Sequence, residues 1–65
     1  MSRIRTLREA HHLTQEELAH AAKTTLAYVG YIERTGYRPG ANLRARIAAA
    51  LEVSEAEVWP EEAKQ

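Results

Sequence analysis

Two helix-start signals, at Thr14 and at Thr25, leave room for one short helix between them, and no other feature constrains this chain so strongly. Thr14-Gln15-Glu16-Glu17 has the pattern of a capping box. The Thr14 hydroxyl can accept from the amide three residues on, while Glu17 reaches back to the Thr14 amide. A helix therefore begins at Gln15, turns Leu18, Ala21 and Ala22 inward and ends near Lys23. Thr24-Thr25 then offers a fresh N-cap. From Leu26 to Arg34 the residues Tyr28, Val29 and Ile32 recur at three- and four-residue spacing. Two helices of about eight residues, joined by only three or four, cannot lie antiparallel comfortably, so they should meet at an angle. A small side chain is needed where the second crosses the first, and Ala19 is there. Leu18, Ala22, Val29 and Ile32 supply apolar contacts on either side of the bend.

The rest of the chain adds helices around this pair. Ser2 can cap a first helix over residues 3–11, with Ile4 and Leu7 on one face. The loop Thr35-Gly36-Tyr37-Arg38-Pro39-Gly40 is the main punctuation, with Gly36 placed where a helix end wants positive φ. A fourth helix from about Asn42 to Leu51 aligns Leu43, Ile47, Ala50 and Leu51, and Ser54 caps a last short turn holding Val58 and Trp59. The expectation is an all-α, compact five-helix domain over residues 1–59, followed by a short acidic tail over 60–65. At 65 residues and without cysteine, helix packing alone must hold the fold. The longest apolar run, Ile47 to Leu51, is far too short to span a membrane, and nothing resembles an export signal, so a cytoplasmic location is expected.

Charge and residue types exclude much else. The formal net charge is zero, which argues against a general polyelectrolyte binder. The balance is nonetheless uneven, because every Lys and Arg except Lys64 lies within residues 1–46, while Glu52, Glu55, Glu57, Glu61 and Glu62 crowd the end. The basic part can meet an anion. His11 and His12 are adjacent and point apart on a helix, and Glu16 and His20 share a face without a third ligand, so no metal is expected. Without Cys, Asp or a glycine-rich phosphate loop, neither an enzyme nor a cofactor is expected.

Leu13-Thr14-Gln15-Glu16-Glu17-Leu18-Ala19, followed by Tyr28-Val29-Gly30-Tyr31-Ile32-Glu33-Arg34, resembles the lambda-repressor-like, or Cro/XRE-type, helix-turn-helix family. Pro39, Ile47-Ala48, Ala50-Leu51 and Val53-Ser54 keep the family's spacing, so the resemblance covers nearly the whole chain. It implies that the helix starting near Thr25 enters the DNA major groove, with Leu26, Ala27 and Tyr31 toward base edges and Gly30 leaving that face open. Gln15 is placed to bond a phosphate or to brace this helix. Thr25 acts as cap and candidate phosphate ligand, and Arg38, with Lys23 and Tyr28 as weaker candidates, would touch the DNA backbone. The resemblance pairs the acid Glu33 with Arg8, with Arg44 as the other candidate partner. Departures are Lys23 where the family usually has glycine at positive φ in the turn, at a cost of about 1 kcal/mol or with a longer, altered turn instead, together with Thr24, Thr35 and Arg44 at positions usually occupied otherwise.

The expected partners are double-stranded DNA bearing a palindromic operator and a second copy of the chain, with no membrane and no evident small-molecule effector. Val53, Val58 and Trp59 are candidates for the homodimer interface, because the chain has no other spare element. The functional expectation is a sequence-specific transcriptional regulator, a repressor. The alternative is a helix-turn-helix domain kept as a protein-binding module or antirepressor, favoured by the zero net charge and by the few hydrogen-bonding groups on Leu26, Ala27 and Gly30.

Overall fold

The computed structural model describes residues 3–60 and contains five helices in chain order: α1 (Ile4–Ala10), α2 (Gln15–Ala21), α3 (Leu26–Thr35), α4 (Ala41–Ala50) and α5 (Glu55–Val58). No strand occurs among the described residues. Ser2, the expected first cap, lies outside them; α1 starts after Arg3, whose side chain makes no capping bond. The capping box of α2 forms in full, with the Glu17 amide donating to Thr14 Oγ1 at 3.0 Å and the Thr14 amide to Glu17 Oε1 at 2.8 Å. Thr25 caps α3 by accepting from the Tyr28 amide at 3.1 Å. Ser54 precedes α5 but makes no side-chain capping bond. The fourth helix begins one residue before the expected start, after Gly40.

Three helix ends share a device that the sequence anticipates only at Lys23. His12, Lys23 and Glu52 all adopt positive φ, at 58°, 60° and 59°. Each follows the C-cap of its helix, and paired backbone bonds close the end. Leu13 N donates to Arg8 O and His12 N to Glu9 O after α1; Thr24 N to Ala19 O and Lys23 N to His20 O after α2; Val53 N to Ala48 O and Glu52 N to Ala49 O after α4. These are Schellman closures, which usually employ glycine. The turn between α2 and α3 is therefore neither lengthened nor altered by Lys23; the lysine adopts the left-handed conformation itself, at a cost of about 1 kcal/mol. After α3 the same task falls to Gly36, at φ 75°.

The core consists of Ile4, Leu18, Ala19, Ala22, Val29, Ile32, Ile47, Ala48, Leu51, Val58 and Trp59, with Pro39 also fully buried. It lies where α2 packs on α3 and α4, and where α4 packs on α5. No polar or charged residue among those described is buried. The expectation that Val58 and Trp59 form a dimer interface fails here. Both sit in this core, at 0% and 4% exposure, and the Arg3 amide donates to Val58 O at 2.9 Å, stitching the start of α1 to the end of α5. A 65-residue chain has too little apolar surface to spare its largest side chain for a partner. The indole N–H of Trp59 finds no partner among the described residues, so the ring is there for the area it buries. Val53 is partly buried and packs against the same core. Of the expected tail, only Pro60 falls within the described residues.

Candidate nucleic-acid interface

The periodicity of α3 separates a core face from an outward one. Val29 and Ile32 are buried, whereas Leu26, Ala27, Tyr31 and Arg34 are exposed and Gly30 is half-buried among them. Positions 26, 30 and 34 form one helical row and 27 and 31 the next, so these residues make a continuous strip. Leu26 is 50% exposed and Tyr31 39%, so the strip presents apolar as well as polar surface. Thr25 stands at the N-terminal end of the strip with its hydroxyl already engaged by the Tyr28 amide. Lys23 is exposed in the turn just before it.

A charged brace lies behind this strip. Arg8 Nε donates to Glu33 Oε2 at 2.6 Å and its second terminal nitrogen to Oε1 at 3.2 Å, a bidentate fork. Gln15 Nε2 donates to the same Oε1 at 3.1 Å, and the remaining Arg8 nitrogen reaches Leu13 O at 2.7 Å. One arginine from α1 thus ties together the loop before α2 and the last turn of α3, with Gln15 of α2 joining at the carboxylate. Burial alone would raise the Glu33 carboxyl, but the hydrogen bonds from Arg8 and Gln15, aided by the charges of Arg8 and Arg5, hold it below its ordinary value. The hydrogen bond to Glu33 conversely raises Arg8. Glu33, the one acid of α3, is therefore neutralised within the protein and adds little repulsion toward an anion outside. An open pocket lined by Arg5, Arg8, Gln15, Gly30, Glu33 and Arg34 lies over the brace.

Of the two candidate partners for Glu33, Arg44 goes elsewhere, donating to Pro39 O at 2.9 Å and to Glu55 Oε1 at 3.2 Å. It anchors the loop between α3 and α4 instead. Arg38 is exposed in that loop. Tyr28 is half-buried, packs against the core and stacks on Tyr31. Gln15 is engaged with Glu33, so in this structure it braces α3.

Two residues that matter to this arrangement escape a reading of the sequence. Arg46 of α4 donates to Ala22 O at 2.9 Å and so secures the end of α2 beside the turn. Tyr37, 50% exposed, folds back so that its ring meets Tyr31. Gly36 was the available signal, since a left-handed residue reverses the chain and returns its successor toward the helix just ended.

A short helix ending in a tight left-handed turn, followed by a second helix with one exposed face and a braced back, defines a helix-turn-helix domain. The helix-turn-helix family profile matches residues 4–58, which is nearly the whole chain. The protein belongs to the lambda-repressor-like, Cro/C1-type helix-turn-helix family, a family of DNA-binding domains of transcription regulators. No curated protein and no solved structure matches the chain. Among the described residues, no helix is long and apolar enough to cross a membrane.

Proposed function

We propose that this chain is a sequence-specific regulator of double-stranded DNA, a repressor that acts as a homodimer on a palindromic operator and works in the cytoplasm wherever that DNA lies. The observation that carries this reading is the neutralised Glu33: α3 offers an exposed strip, and the helix's single acid lies behind it, consumed by Arg8 and Gln15. In this reading α3 lies in the major groove with Leu26, Ala27, Gly30 and Tyr31 at the base edges. Lys23, Thr25, Tyr28 and Arg38 flank the strip toward the phosphates, and Gln15 supports the helix from behind. One such helix reads only a few base pairs, so two copies on two half-sites supply the length that specificity requires. With Val58 and Trp59 committed to the core, the copies meet through other surface, and pairing on the DNA itself accounts for a dimer most simply.

The exposed Leu26 and Tyr31 also suit a protein partner, which is the second reading. Titration of random duplex DNA against salt separates the two. A DNA reader loses affinity steeply as counterions are retained at higher salt, whereas a protein adaptor shows almost no binding at any salt. Duplexes selected from a random library should then show two inverted half-sites, and sedimentation on such a duplex should give two chains per site. A one-chain complex would remove the dimer.

A further inference from the structure

The three tyrosines on the DNA-facing side form a row that the helix-turn-helix motif by itself does not require. Tyr28 is its fixed end, since its ring packs against the core. Tyr31 lies on Tyr28 with ring centroids 6.1 Å apart and planes inclined by 27°, and Tyr37 closes on its other side at 5.7 Å and 50°. Both spacings fall in the range where aromatic pairs attract beyond the area they bury. The position of Tyr37 is set by the backbone rather than by chance collision. Gly36 takes φ 75°, the Tyr37 amide donates to Thr35 Oγ1 at 3.2 Å, and that hydroxyl donates to Tyr31 O at 2.7 Å. The loop is therefore hydrogen-bonded to the very residue whose ring it covers.

An exposed tyrosine on a helix samples more than one rotamer, and a side chain that must be ordered on binding loses affinity and selectivity in proportion. We infer that Tyr37 is a positioning residue for base recognition: its ring holds Tyr31 against Tyr28 in a single rotamer, so that the Tyr31 hydroxyl is preset toward the groove before DNA arrives. This rests on the DNA-reading function proposed above. Tyr37 acts here through its ring and not through its own hydroxyl, which separates it from a residue that contacts phosphate.

The test has an arm without DNA and an arm with it, each on the full chain. Three-bond couplings to the Tyr31 β-protons should report one rotamer in the wild type, averaging in Tyr37→Ala, and recovery in Tyr37→Phe. In the second arm the probe is a duplex selected by the wild type from a random library, compared with the same duplex changed at the base pair whose preference Tyr31→Ala abolishes. The ratio of the two affinities should fall roughly fivefold in Tyr37→Ala and be kept in Tyr37→Phe. Melting curves of both variants verify folding, which an exposed loop residue leaves intact. Equal ordering of Tyr31 in Tyr37→Ala, an unchanged ratio, or a loss in Tyr37→Phe as large as in Tyr37→Ala each overturns the inference. A wild type that selects no duplex overturns the DNA reading itself, and the coupling arm then shows whether the clamp exists without it.

Discussion

Replacing Glu33 by alanine should destabilise the fold by about 2–3 kcal/mol, and the structure supplies the arithmetic. The Glu33 carboxylate accepts three hydrogen bonds, at 2.6 and 3.2 Å from Arg8 and 3.1 Å from Gln15, with side-chain exposure of only 5% for Glu33 and 11% for Arg8. Without it, the guanidinium retains a single bond, to Leu13 O. Breaking a fully buried pair from one side costs about 3–5 kcal/mol. The pocket over this pair is open, so water reaches part of the stranded charge and the lower figure applies. A domain of this length has about 3–10 kcal/mol in total, so urea melts should show a large shift. Arg8→Ala should cost a similar amount, and the double variant clearly less than the sum, with a coupling of at least about 1 kcal/mol. A coupling below about 0.3 kcal/mol would refute the claim that the two side chains act as one unit. The same brace sets a pH dependence. The folded-state pKa of Glu33 lies below its ordinary 4.5, so its stabilisation is present above that value and is lost as pH falls through the folded pKa. Between about pH 6 and pH 3 the wild type should therefore lose more stability than Glu33→Gln.

Three further outcomes follow from named contacts. Lys23→Gly, His12→Gly and Glu52→Gly relieve left-handed backbone at three separate helix ends, so each should stabilise by about 0.5–1 kcal/mol and the three should add in thermal melts; no gain at any of them would mean that these ends are not strained. Gly30→Ala has room, since the new methyl would meet only the Gln15 side-chain amide at 3.9 and 4.0 Å, and it should raise helix stability by about 0.5–1 kcal/mol while weakening DNA binding several-fold. Unchanged binding would show that α3 does not approach DNA on this face. Leu26 and Ala27 offer only apolar contact, so a thymine methyl should matter in each half-site: exchanging that thymine for uracil should cost about 1–3 kcal/mol, and Leu26→Ala should abolish the difference. If every such exchange is silent, the N-terminal end of α3 reads no bases.

The sequence alone determined the helix starts at Thr14 and Thr25, because a capping hydroxyl and the amide it satisfies lie within one turn of each other. It determined the buried face of α3 for the same reason, since three- and four-residue spacing is a local property of a helix; of the α2 residues expected inward, Leu18 and Ala22 are buried, but Ala21 is exposed. The glycine at the end of α3 was legible too, and the resemblance placed Lys23 at a left-handed turn position, whereas the left-handed turns at His12 and Glu52 were not legible. At those ends the surrounding packing outweighs a local preference of about 1 kcal/mol, and no residue type signals it. The resemblance already paired Arg8 with Glu33, but tertiary structure alone decided between Arg8 and Arg44 and placed Arg44 and Arg46. Arg8, Arg44 and Arg46 are equivalent in composition, yet one braces α3, one ties Pro39 to Glu55, and one closes the end of α2. Tertiary structure likewise drew Val58 and Trp59 into the core and Tyr37 onto Tyr31. Long side chains reach partners many residues away, and a core this small takes whatever apolar surface the last helix brings; both outcomes depend on distances that exist only after the helices have packed.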